Sequence, residues 1–160
     1  MERERMTIYF YSPREQPYGC FSNFSRHGVS MDDVWWPTVE HYFQAQKFAG
    51  TANSAHADYI ERIHRAATPK QAAELGRSRS VPLRADWEQV KDAIMLAAVQ
   101  RKFETHEAIR AVLLATGDEE IVENAPRDYY WDGGADGSGL NRLGKTLMEV
   151  RARLRHAGYS

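Results

Sequence analysis

The spacing of apolar and polar positions changes several times along this chain, and each change marks an element. Thr7 to Tyr11 and Val29 to Trp36 are dense in aromatic and β-branched residues and predict short strands, the second interrupted by a turn at Asp32 and Asp33. In the stretch Trp35 to Phe48, WWPTVEHYFQAQKF, Pro37 and Thr38 supply a boundary and an N-cap for a helix. A second helical segment covers Asn53 to Ala66. Thr68, Pro69 and Gly76 then predict a short helix with an N-cap, a first-turn proline and a glycine stop. Asp86 with Gln89 resembles a capping box opening a long helix to about Phe103, and Thr105 with Gly117 brackets another. Glu120 to Asn124 predicts a strand. The last helix, about Arg142 to Arg155, carries Leu143, Leu147, Val150 and Leu154 on one apolar stripe. The expected fold is mainly α within the α+β class: a single compact multi-helical domain over residues 7–156 with a small β-sheet, behind an unpatterned tail of residues 1–6.

Composition narrows the class of protein. The chain has 160 residues, 42% hydrophobic and 27% charged, enough for one globular domain with a sizeable core. A net charge of -1 gives no global reason to expect nucleic acid, although Arg77, Arg79 and Arg84 form a local basic cluster able to meet an anion. One cysteine, Cys20, excludes an internal disulfide, and we read it as structural. No apolar run approaches the roughly 20 residues that span a bilayer, and the opening MERERM lacks a signal-peptide core, so a cytoplasmic protein without membrane partners is expected. Neither HExxH nor a CxxC pair occurs and the six histidines show no ligand spacing, so neither metal nor cofactor is expected.

Two segments carry candidate chemistry. In the helix that Thr38 opens, Glu40, Gln44 and Lys47 recur at i, i+4 and i+7 and share one face, so an acid, an amide and a base line a single stripe. Such a stripe is either a solvated face, its acid welcomed by the helix dipole, or a reactive one. The second segment is YYWDGGADGSGLNRLG, Tyr129 to Gly144, where Gly137 and Gly139 among other glycines allow close backbone approach and the loop runs into the last helix. Its N–H groups can face a phosphate, with Asn141 as N-cap or ligand donor. It matches neither GxGxxG after a strand nor a Walker pattern. Trp131 beside these glycines can stack on a heterocyclic base or pack as a rim tryptophan.

Taken with FYS at Phe10 to Ser12 and FSNF at Phe21 to Phe24, the WPTVEHYFQAQKF, LGR and PLRADW segments and the loop ending in NRLG make the chain resemble the NADAR family, over roughly Ile8 to Leu154. One departure is that Asp132, followed by Gly133, stands where the family usually has glycine directly after the loop tryptophan. The resemblance implies an N-glycosidase that cleaves the ribosyl C–N bond of phosphoribosylamino-pyrimidine intermediates of riboflavin biosynthesis, releasing ribose 5-phosphate as metabolite damage control. The family's catalytic glutamate corresponds to Glu40, and its functional tryptophans to Trp87 and Trp131.

These residue types suit the reaction. Breaking a ribosyl C–N bond builds positive charge on the sugar, which an ionised carboxylate can stabilise while it positions or deprotonates water. A first-turn position favours the charged form of Glu40 and so a base or stabiliser rather than a proton donor. Lys47 can bond a ribose hydroxyl, pair with Glu40, or condense with an opened ribose aldehyde. Trp87 and Trp131 would flank the pyrimidine, with Trp87 as a hydrophobic anchor the alternative. Arg77, Arg79 or the glycine loop would take the phosphate, and Asn23 and Asn141 the sugar or phosphate. A second reading keeps Glu40 but changes the substrate to ADP-ribosylated guanine in nucleic acid, as the resemblance to other NADAR members implies. A third is a non-catalytic module binding ADP-ribose or a related nucleotide, which has no need of a carboxylate near C1′.

Overall fold

The computed structural model describes residues 6–124 and 140–160. These residues form six helices and two two-stranded sheets, an α+β arrangement, grouped into two units. The elements in chain order are β1 (Thr7–Phe10), a 3-10 turn (Tyr18–Phe21), β2 (Val29–Met31), β3 (Val34–Trp36), α1 (Val39–Gln46), α2 (Ser54–His64), α3 (Pro69–Arg77), α4 (Trp87–Thr105), α5 (Glu107–Ala115), β4 (Glu120–Glu123) and α6 (Arg142–His156).

One unit comprises residues 1–25 and 103–160. Its sheet is the parallel pair β1 and β4, in register from Thr7 opposite Glu120 to Phe10 opposite Glu123. Against β4 packs α6, whose predicted stripe of Leu143, Leu147, Val150 and Leu154 is buried in full. Burying side chains of this size contributes about 1.5–3 kcal/mol each. Phe10, Phe21 and Phe103 complete this core edge to face, with ring centroids 5.7 and 6.1 Å apart. The cap of α5 is His106, not Thr105, because α4 keeps its helical turn through Thr105.

The other unit is residues 26–102, in which α1 packs against α2 and α3. The antiparallel pair β2 and β3 is closed by Asp32 and Asp33, both at positive φ (51° and 65°), as a turn through two such residues requires. The predicted N-caps Thr38 and Thr68 form, their side chains accepting from the backbone N–H groups of His41 and Gln71, and Asn53, expected as the first residue of a helical segment, caps α2 by accepting from Ala55 N–H. The predicted glycine stop at Gly76 does not form. The residue lies inside α3, which continues to Arg77, and its lack of a side chain serves a close contact described below.

Candidate active site

Every residue of α1 from Val39 to Ala45 is buried. A helix enclosed in this way would ordinarily be apolar throughout, yet it carries Glu40, His41 and Gln44 at 8%, 0% and 6% exposure. The solvated-face reading of the stripe therefore fails. Buried polar groups must be held by specific partners, and the partners define the site.

The N-terminus of α1 is fixed first. Thr38 Oγ1 accepts from the His41 backbone N–H at 3.1 Å and lies 2.7 Å from His41 Nδ1, while His41 Nε2 lies 3.0 Å from the Ala66 carbonyl. A carbonyl only accepts, so Nε2 carries the proton and Nδ1 takes the Thr38 hydroxyl hydrogen. Burial, ahead of the Ala66 contact that opposes it, lowers the His41 pKa and keeps the ring neutral. The carboxylate of Glu40 thus projects from a capped first turn, where the positive end of the helix dipole favours negative charge.

One turn on, the Gln44 amide donates from Nε2 to Glu40 Oε1 at 2.8 Å. The rest of that amide lies against Gly76 of α3, where a Cβ would overlap both Gln44 Oε1 and Cδ. Lys47 caps the C-terminal end of α1, and its Nζ donates to the Gly76 carbonyl at 3.5 Å. The same carbonyl accepts from Arg79 Nη1 at 2.8 Å. Gln44, Lys47 and Arg79 therefore converge on Gly76 of α3, and Gln44 links that turn to Glu40. Arg77, the last residue of that helix, is exposed.

The PLRADW segment is tied to the same helix. The Arg84 backbone N–H donates to the Lys47 carbonyl at 2.8 Å, and its Nη1 donates to the Gln46 carbonyl at 3.5 Å. Its guanidinium also forks onto Asp86 at 2.6 and 3.1 Å, which holds the Asp86 carboxyl below its usual range. Arg84 is thus a structural clamp between α1 and the start of α4 rather than a ready anion ligand. Trp87, the first residue of α4, is 6% exposed, with its ring 5.1 Å from that of Phe43 and tilted 55°. That is the geometry of the hydrophobic anchor. Sequence reasoning found the stripe but not its attachment to Gly76, nor the role of Arg84. For Gln44 the i, i+4 spacing from Glu40 was the available signal.

In the other unit, Asn23 is buried just after the 3-10 turn. Asn141 sits at the N-cap position of α6 in the left-handed region (φ 52°, ψ 45°) but makes no side-chain cap bond. Its Nδ2 donates to the Ile121 carbonyl at 2.8 Å and its Oδ1 accepts from the Glu123 N–H at 3.1 Å, so the amide braces β4. The expectation of a side-chain cap is corrected: the ladder edge takes both ends of the amide. Buried Cys20 donates from Sγ to the Pro17 carbonyl at 3.5 Å. Trp131, Gly137 and Gly139 lie outside the described residues.

Among the described residues no group of three or more His, Cys, Asp or Glu is placed to hold a metal, and no helix is long and apolar enough to cross a membrane. A groove of about 410 Å³ between α2 and α3, lined by residues including Tyr59, Arg62, Gln71, Glu74 and Ser78, shares none of the α1 stripe.

Comparison with known proteins gives the chain its family. Residues 9–155 match the NADAR domain model. The chain is 58% identical over 151 residues to an N-glycosidase of Nostoc punctiforme, covering 94% of each chain. It is 48% identical over 147 residues to the N-glycosidase YbiA of Escherichia coli, covering 92% of this chain and 88% of that one. A chloroplastic riboflavin biosynthesis protein, PYRR, of Zea mays is 41% identical over 86% of this chain, which spans 23% of that protein. The NMR structure of Escherichia coli YbiA superposes with a TM-score of 0.85 at 45% identity, covering 98% of this chain and 89% of that one. With such identities across nearly its whole length, the chain is an N-glycosidase and belongs to the NADAR family.

Proposed function

We propose that this N-glycosidase hydrolyses the ribosyl C–N bond of phosphoribosylamino-pyrimidine intermediates of riboflavin biosynthesis and releases ribose 5-phosphate. The observation that carries the reading is Glu40: a carboxylate 8% exposed, in the first turn of a buried helix, gripped by an amide at 2.8 Å. Similarity to riboflavin biosynthesis proteins of Zea mays and Vibrio vulnificus supports the substrate class.

As the C–N bond lengthens, C1′ gains positive charge and Glu40 stabilises it. A water molecule on the open face, oriented or deprotonated by the same carboxylate, forms the new C1′–O bond, and the departing amine keeps the electron pair and takes up a proton. Lys47 and Arg79, both directed at the Gly76 carbonyl, give the site a cationic rim that suits the ribose hydroxyls and the 5-phosphate. Arg77, Gly137 and Gly139 are proposed as further phosphate contacts. Trp131 stacks on the pyrimidine, Trp87 holds Phe43 and hence the back of α1, and Asn23 contributes a sugar contact.

The test is ribose 5-phosphate release from 5-amino-6-(5-phosphoribosylamino)uracil, with spontaneous hydrolysis subtracted, beside removal of ADP-ribose from ADP-ribosylated guanine in DNA. Release from the first and not the second is the expected result. The reverse pattern would replace the substrate class while leaving Glu40 in its role. Binding of either ligand without turnover would end the catalytic reading.

A further inference from the structure

We infer that Gln44 is a positioning residue for Glu40, and that Gly76 is glycine because the Gln44 amide occupies the space of its missing side chain. The inference rests on the reading above, in which Glu40 is the reacting carboxylate.

Gln44 Nε2 donates to Glu40 Oε1 at 2.8 Å, and Gln44 is 6% exposed. Its other polar atom, Oε1, is buried with no hydrogen-bond partner. An amide with a choice would turn to satisfy both ends, since a buried unsatisfied carbonyl is unfavourable. Turning it over would set Oε1 against Glu40 Oε1, acceptor against acceptor, and would require that carboxyl to be protonated. The unsatisfied oxygen is therefore the consequence of keeping an N–H on an ionised Glu40.

Gly76 completes the device. A Cβ there would overlap Gln44 Oε1 and Cδ. In its place the residue presents only a Cα hydrogen along that direction, a weak donor toward the otherwise unpartnered oxygen. The Gly76 carbonyl meanwhile receives Lys47 Nζ and Arg79 Nη1, which fixes this turn of α3 beside α1. The amide is thus confined between a carboxylate and a backbone that leaves it a single seat. One hydrogen bond to a charged group both aims Oε1 of Glu40 and favours its ionised form.

The experiment measures kcat, KM and the pH dependence of kcat/KM for wild type, Glu40→Gln, Gln44→Met, Gln44→Ala, Gly76→Ala and the Gln44→Ala/Gly76→Ala double variant, with thermal melts to confirm folding. Gln44→Met preserves volume without the donor. It should lower kcat about ten- to hundredfold with KM little changed, and move the acid limb of the profile to higher pH as Glu40 loses the bond to its charged form. Gly76→Ala should do the same from a distance by displacing the amide. The double variant should be close to Gln44→Ala alone, because truncation removes the Oε1 and Cδ that the new methyl would overlap and leaves only the residue-44 Cβ, 3.0 Å away. Two outcomes overturn the inference: a Gln44→Met enzyme with wild-type kcat and an unmoved acid limb, or additive losses in the double variant. Full activity in Glu40→Gln would instead overturn the underlying reading, so the two failures are distinguishable. Should Gln44→Met fail to fold, Gly76→Ala with its cycle partner still reports the coupling.

Discussion

Two buried side-chain amides in this protein invite comparison. Asn141 and Gln44 are 7% and 6% exposed, and each lies against a glycine, Gly144 and Gly76, whose Cβ would collide with it. Asn141 uses both ends on backbone, donating to Ile121 and accepting from Glu123, and so ties β4 to the start of α6. Gln44 uses one end on a carboxylate and leaves the other without a hydrogen bond. The first arrangement maximises stability, since both polar atoms and two ladder groups are satisfied. The second keeps a buried charge oriented at the expense of an acceptor. What distinguishes a bracing amide from one set up for chemistry is which atoms it serves, not how deeply it is buried.

That contrast can be broken in order of expected effect. Asn141→Ala removes the bonds to the Glu123 N–H and the Ile121 carbonyl and places alanine in the left-handed region, so it should destabilise by on the order of 3 kcal/mol with kcat of the folded protein little changed. Asn141→Gly should recover only the backbone part. A denaturant melt beside an activity assay checks both, and lost turnover at unchanged stability would support a ligand role for Asn141. Trp131→Ala should weaken substrate binding by about 1–3 kcal/mol through loss of stacking, read as a raised KM. An unchanged KM would remove Trp131 from the pocket.

Thr38→Ala should lower stability by about 1 kcal/mol, because the cap bond to His41 N–H and the hydrogen to His41 Nδ1 both go. The smallest effect is on pH. Burial depresses the folded-state pKa of His41, so its contribution is fully present above the unfolded value of about 6.5 and is lost as pH falls from there toward the lower folded value. Melting temperatures from pH 7.5 to 5 should decline less steeply in His41→Gln than in wild type. Equal slopes would mean that protonation of His41 does not oppose folding.

The sequence made local chemistry legible and left distant contacts hidden. Thr38 and Thr68 were readable as caps because the groups they satisfy are three residues away. The turn at Asp32 and Asp33 and the α6 stripe were readable for the same reason. Gly76 was misread as a helix stop because the local rule for glycine is a rule about ends, whereas its cause is a side chain 32 residues earlier. Asn141 looked like a cap beside a glycine loop, but its partners are on β4. The i, i+4 relation of Glu40 and Gln44 was visible, yet only burial separates a reactive stripe from a solvated one, and burial is decided by α2 and α3. Arg84, one of three arginines offered to an anion, proved to hold α1 to the start of α4.

The central claim, that Glu40 is the carboxylate at the reacting bond, is tested most directly by single-turnover release of ribose 5-phosphate from 5-amino-6-(5-phosphoribosylamino)uracil by wild type and Glu40→Gln at matched folded concentration. Volume is preserved and charge removed, so release should slow about a hundred- to thousandfold while substrate affinity and melting temperature stay close to wild type. Release at the wild-type rate by Glu40→Gln would contradict the account.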